Sequence, residues 1–142
     1  MKDSKQLLTA VLHTTQMGQT GIRSVQQKAV RPGLKQELKE ELAQYDAMEK
    51  ETLALAKQRG WHLANLNPGI RKMADMMSRT RLASGEVDSK IAGMLIQGNT
   101  RGMILGTKNL HRADSSDCQV VQLTQKLLDR QCVNIENARR FL

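Results

Sequence analysis

The side chains that could bind a metal ion are few in this sequence. Glu41 and Tyr45 are four residues apart, which places them on one face of a helix. His13 lies in the apolar-periodic segment before them. Iron and manganese take anionic oxygen ligands together with imidazoles. One hypothesis is therefore an atypical metal site of His13, Glu41 and Tyr45. The simpler interpretations are a solvated acidic face or a buried polar pair at Glu41, and a polar flank at His13.

A conventional two-metal centre in a helical bundle makes a stricter demand. It needs a Glu on each of two helices and Glu-x-x-His on each of the other two. No Glu-x-x-His or Asp-x-x-His occurs in the sequence, and no carboxylate lies between Asp88 and Asp114. The first apolar segment also has no carboxylate after Asp3. We therefore predict no conventional metal site and no cofactor.

A formal net charge of +8 raises the question of polyanion binding. The clearest local concentration of positive charge consists of Arg71, Lys72, Arg79 and Arg81. These residues are candidates for weak polyanion contact. Aromatic residues make up only 2% of the chain, which argues against base stacking. We expect a solvated basic surface and no nucleic-acid partner.

The two cysteines, Cys118 and Cys132, are 14 residues apart in one helical pattern. That spacing corresponds to about 21 Å along a helix, so they cannot pair within it. We expect two reduced, buried thiols, with intermolecular pairing as the alternative.

The composition predicts an all-α fold. Hydrophobic residues make up 39% of the 142 residues, so a core is built mainly from Leu, Ile, Val, Ala and eight Met. A β-sandwich or barrel would need more aromatic and β-branched residues. The length fits a single domain over residues 1–142. No run of 18 apolar residues and no convincing signal peptide occurs, so we expect no membrane partner and a cytoplasmic location.

Apolar periodicity predicts four long helices and a shorter one, over about residues 4–29, 34–59, 68–81, 86–112 and 117–140. Ser4 is the expected N-cap of the first helix, and Ser116 or Asp117 that of the last. In the short helix, Ile70, Met73 and Met77 are expected to face inward.

Three glycines of the third long helix, Gly98, Gly102 and Gly106, recur every four residues. Each interior glycine costs a helix about 1 kcal/mol relative to alanine. Three on one face therefore indicate close helix packing, inside a bundle or a dimer.

The connection lengths favour a four-helix bundle with a long crossover, containing the short helix, between its second and third long helices. An up-down-up-down bundle is the alternative. In its helix and loop lengths the whole chain resembles a ferritin-like four-helix bundle. Residues 7–62 resemble the spore coat protein F family of endospore-forming bacteria through a helix pair ending in Ala56-Lys57-Gln58-Arg59-Gly60-Trp61-His62. That family often ends its second helix with Gly-Trp-Tyr, whereas His62 stands at the Tyr position here.

The resemblance implies a structural or accessory role and a spore-associated location. We therefore expect a non-catalytic, ferritin-like bundle that acts through self-association or another protein. The alternative is a metal-binding oxidoreductase of the ferritin-like type with an atypical site.

Overall fold

The computed structural model describes residues 2–81, 86–114 and 117–142, except for the side chains of 78–81. The all-α prediction is confirmed, since the described residues form five α-helices and no strand. The helices are α1 (Ser4–Val25), α2 (Pro32–Gln58), α3 (Pro68–Arg81), α4 (Val87–His111) and α5 (Cys118–Arg139). No helix in these ranges is long and apolar enough to cross a membrane.

The helix ends follow from local capping chemistry. Asp3, not Ser4, is the N-cap of α1, because its carboxylate accepts from Gln6 N while the Gln6 side chain accepts from Asp3 N. Asp117 caps α5 through Val120 N, and Ser116 lies outside the described residues. Gly60, after α2, has φ of +71°, a conformation that favours glycine.

Long-range contacts set the directions of the four long helices. Gln19 on α1 donates to Asp46 on α2, and the short connection between them makes the pair antiparallel. Near the end of α2, Arg59 pairs with Asp117, while Glu37 near the start of α2 accepts from Asn137. The α2–α5 pair is therefore antiparallel as well.

Helix α4 runs antiparallel to α1. Asp88 at its start accepts from Val30 N and Arg31 N beyond the end of α1. After its end, Arg112 O accepts from Lys2 N before the start of α1. Because α5 packs antiparallel to α4 by the same reasoning, α1 and α5 share one direction while α2 and α4 share the other.

The core lies between α1, α2, α4 and α5 and is built mainly from leucine, isoleucine and valine. Tyr45 and Phe141 are its buried aromatic residues, and Met48 is its one buried methionine in the described part of the chain. The role expected for methionine in the core is therefore smaller than predicted, because most described methionines lie at or near the surface.

The segment between α2 and α4 returns along α1. Ala64 O contacts His13 Nε2 at 2.9 Å, and Leu66 N donates to Gln16 Oε1 at 2.7 Å. Helix α3 then packs against α1. The expected inward face of α3 is wrong: Ile70 is 48% exposed, Met73 65% and Met77 50%.

Candidate functional site

A large cleft separates α1 from α4 on the side where α3 lies. Its volume is about 1120 Å³. Side chains of α1 and α4 form its two long walls, and Met77 of α3 lines its outer part. The inner wall includes Glu41 and Tyr45 from α2 and Gln131 from α5. We call this space the α1–α4 cleft.

Glycines keep the α1–α4 cleft open. Gly21 of α1 and Gly98 of α4 both line it, and a Cβ on either would meet no atom within 4 Å among the described residues. The rest of the long walls is largely apolar, with residues such as Ile22, Ile91 and Leu95. The result is a concave, mostly apolar site with few polar groups, which is the usual form of a ligand pocket.

Glu41 is the unusual group on the inner wall. Its side chain is 0% exposed, and no donor in the described part of the chain reaches either carboxyl oxygen. Burial, followed by a hydrogen bond with the Glu37 side chain and then by the charge of Glu37, raises the pKa of Glu41 to about 9, although the charge of Arg130 acts in the opposite direction. Glu41 is therefore protonated and uncharged at neutral pH.

Tyr45 is fixed by a buried network. Its hydroxyl donates to Asn99 Oδ1 at 3.0 Å, and Asn134 Nδ2 reaches the same oxygen at 3.4 Å. Arg130 Nε in turn donates to Asn134 Oδ1 at 3.0 Å. Burial, with the Glu41 carboxyl next in importance, raises the pKa of Tyr45 to about 12. Tyr45 is therefore a neutral hydroxyl group at neutral pH.

The glycines of α4 differ in their surroundings. A Cβ at Gly102 would collide with Gln131 Nε2, and one at Gly106 would lie 2.6 Å from Leu128 Cδ2. Both positions allow α5 to approach α4. Gly98 faces the α1–α4 cleft instead, so the close packing predicted at that position does not occur.

The proposed set of metal ligands is not brought together. His13, Glu41 and Tyr45 all line the α1–α4 cleft. However, Tyr45 packs level with Gly18, and the antiparallel register puts Glu41 about one turn beyond it, away from His13. His13 is held instead by the contact with Ala64 O. Within the described residues, no three His, Cys, Asp or Glu side chains form a group that could hold a metal ion.

The basic candidates lie on α3. Lys72 is exposed, whereas Arg71 is half-buried and its Nε has no partner among the described residues. The side chains of Arg79 and Arg81 lie outside the described residues. Other basic side chains line the α1–α4 cleft: Lys2, Lys5, Arg101 and Arg112.

Both cysteines are exposed on α5, so the expectation of buried thiols is wrong. The apolar periodicity of α5 predicted that Cys132 lies on an apolar face. In the structure, its thiol contacts Met103 at the surface instead.

Sequence reasoning missed the neutral polar groups on and beside the inner wall. Asn99 is one turn from the core residue Leu95, and Gln131 is one turn from Leu127, so both fall on apolar helix faces. A polar side chain at such a position was the signal that could have found them.

The arrangement joins a deep apolar cleft to an uncharged carboxyl, a hydroxyl and two amide groups. Such a wall can bind and orient a molecule through hydrogen bonds.

Comparison of the chain with known proteins finds no matching family model, curated protein or solved structure.

Proposed function

We propose that this chain is a non-catalytic, ferritin-like helical bundle with a structural or protein-interaction role, which self-associates. The resemblance of residues 7–62 to the spore coat protein F family supports a role in the spore or the cytoplasm. The observation that carries the interaction role is the exposed apolar stripe of α3, defined as Ile70, Met73 and Met77.

The helix directions support the ferritin-like part of the proposal. With α1 and α5 in one direction and α2 and α4 in the other, each long helix has antiparallel neighbours. The connection between α2 and α4 must then run the length of the bundle, as it does in ferritin-like connectivity. Residues 64–66 and α3 lie against α1 along this path.

The chemistry of the interior supports a non-catalytic role. At the middle of the bundle, α4 and α5 contribute the amides of Asn99, Gln131 and Asn134. Glu41 is the carboxyl among them, and it is uncharged at neutral pH. These groups suit cohesion and binding better than redox chemistry.

The apolar stripe of α3 supports self-association. Its residues recur with helical spacing, so they form one continuous face. Exposed apolar patches rimmed by polar residues typically mark interaction sites. Met77 also lines the α1–α4 cleft, so the stripe continues into apolar surface there. A second copy of the chain would bury this face symmetrically against its own.

Sedimentation velocity over a range of concentrations tests the proposal. We expect the wild-type chain to associate as its concentration rises. The variant Ile70→Lys/Met73→Lys should remain monomeric, because two charges interrupt the stripe. Leu53→Lys on α2, where the side chain is 44% exposed, is the matched control and should associate like the wild type.

Two results would count against this proposal. A wild-type chain that stays monomeric at every concentration would remove self-association. A double variant that associates as well as the wild type would remove the α3 stripe from the interface.

The alternative function, a metal-binding oxidoreductase, is supported by one observation. Glu41, whose carboxyl has no donor partner, lies one turn from Tyr45 on the same wall. Titration of the full chain with Mn²⁺ tests this alternative, which requires binding that is lost in Glu41→Gln.

A further inference from the structure

The inner wall of the α1–α4 cleft has unmatched hydrogen-bonding capacity. Glu41 and Gln131 line this wall, and both are buried. No donor among the described residues reaches Gln131 Oε1 or the carboxyl of Glu41, whose proton is shared with Glu37 instead. A buried polar atom without a partner costs folding free energy. The oxygens left without a donor on Glu41 and Gln131 indicate that something else completes their hydrogen bonds.

The unmatched atoms determine what the occupant must offer. Gln131 Oε1 can only accept a hydrogen bond, so the occupant must donate one. Glu41 in its protonated form donates to Glu37 and can still accept through its other oxygen. The hydroxyl of Tyr45 is already committed to Asn99, so it does not compete for this position. The occupant therefore needs a hydrogen-bond donor.

The inner wall favours an uncharged occupant, since the cationic lining residues Lys5, Arg101 and Arg112 are exposed to water. Apart from Glu41 and Tyr45, the ionisable side chains that line it are Lys2, Lys5, His13, Arg101 and Arg112. With Glu41 protonated, the described lining residues carry no negative charge that would balance a buried ammonium group. A carboxylate at the inner wall would face oxygen atoms that only accept, because the Glu41 proton is already shared with Glu37. Burying either ion without a partner is costly.

We infer that the α1–α4 cleft is a binding site for an uncharged, apolar molecule that carries a hydroxyl group. The hydroxyl group donates to Gln131 Oε1 or to the oxygen of Glu41 that does not carry the proton. The apolar body lies between α1 and α4, against side chains such as Ile22 and Leu95. A cleft of about 1120 Å³ has room for a ligand of that kind. This site goes beyond the proposed function and does not depend on self-association.

Two isomeric probes isolate the hydroxyl group. 1-Octanol and 1-methoxyheptane have the same atoms, but only the alcohol can donate a hydrogen bond. In calorimetric titrations of the full chain at neutral pH, we expect 1-octanol to bind about tenfold more tightly, as one hydrogen bond would give. Equal affinities for the two isomers would overturn the inference, as would the absence of binding by either.

Variants of the wall locate the interaction. Glu41→Leu/Gln131→Leu should remove the preference for the alcohol, whereas Glu41→Gln should retain it because an amide also donates and accepts. A preference that survives in the double variant would place the hydroxyl elsewhere and overturn the assignment.

Two glycine variants of α4 test the cleft without altering its polar wall. A side chain at Gly98 enters open space on the lining, so Gly98→Leu should weaken binding of both isomers at least about tenfold. Gly93→Leu is the matched control, since Gly93 also has open space around it but does not line the cleft. Equal binding by the two variants would rule out the α1–α4 cleft as the site.

Three charged probes separate the competing occupants. Octylamine or octanoate binding more tightly than 1-octanol would overturn the choice of an uncharged ligand. Binding of Mn²⁺ that is lost in Glu41→Gln would favour the metal-binding alternative instead. We expect none of these three probes to match 1-octanol. Sedimentation of the same samples gives the monomer content of each titration. A loss of ligand binding is therefore distinguished from a loss of self-association.

Discussion

At the scale of single residues, burial decides what Glu41 does. Spacing on the sequence correctly placed Glu41 beside Tyr45, but a four-residue spacing holds equally for a solvated face. What the spacing could not supply is the burial of Glu41 in the folded chain, which removes water from the carboxyl. The same limit applies to Gln131, whose burial depends on its contact with Gly102 of another helix.

A first prediction concerns the pH dependence of stability at Glu41. The pKa of Glu41 rises from 4.5 to about 9 on folding, so between these values the folded chain holds a proton that the unfolded chain releases. The free energy of unfolding therefore falls as pH rises through this interval. Glu41→Gln removes this dependence and should stabilise the protein at pH 7 by about 2 to 3 kcal/mol.

Urea unfolding at several pH values between 5 and 9 measures this effect. The difference between Glu41→Gln and the wild type should be small near pH 5 and should grow with pH. Glu40→Gln, at the exposed neighbouring position, should follow the wild-type curve. Parallel curves for Glu41→Gln and the wild type would show that the carboxyl is ionised when folded.

At the scale of helices, glycine positions record how closely two elements approach. In α1, a Cβ at Gly18 would lie 2.7 Å from two ring atoms of Tyr45, whereas a Cβ at Gly21 would meet nothing within 4 Å in the described chain. The two glycines look alike on the sequence, because helical periodicity gives the face of a residue but not the distance to its neighbour.

A second prediction follows from this pair. Gly18→Ala should destabilise the protein by about 1 to 3 kcal/mol, because the ring of Tyr45 is rigid and buried. Gly21→Ala should stabilise it by about 0.5 to 1 kcal/mol through its higher helix propensity. Thermal and urea unfolding of both variants provide the measurement, and shifts of the same sign would contradict the packing at Gly18.

The apolar periodicity of α3 predicts its helix but not what covers its apolar face. The pattern of Ile70, Met73 and Met77 correctly predicts an amphipathic helix at residues 68–81. It cannot say which surface covers the apolar face, and within this chain that face stays exposed. An amphipathic pattern therefore defines a face that needs a partner, and the partner need not belong to the same molecule.

At the scale of the whole molecule, Asp88 connects the α1–α2 turn to the start of α4. It is mostly buried and accepts from Val30 N, Arg31 N and Arg31 Nε. Burial acts to raise the pKa of Asp88, but these hydrogen bonds outweigh it and hold the pKa below 3.8. A contact between positions 58 residues apart could not be read from local sequence patterns.

A third prediction concerns this connection. Asp88→Asn should cost about 1 to 3 kcal/mol at neutral pH, because the amide accepts fewer hydrogen bonds and carries no charge opposite Arg31. The loss should shrink as the pH falls through the lowered pKa, where the wild type loses its own stabilisation. Unfolding of Asp129→Asn, at an exposed position on α5, is the control. A loss that persists undiminished in acid would contradict the ionised state of Asp88.

Because α5 carries two exposed thiols, each molecule can form disulfides at two positions. Cys118 and Cys132 are separated by almost four helical turns and project within about 40° of each other around the axis. They are too far apart to pair within one helix, so a disulfide at either position must join it to a cysteine of another chain. Oxidation can therefore link one chain to two others, where a chain with a single cysteine would stop at dimers, and a reductant would return them to single chains.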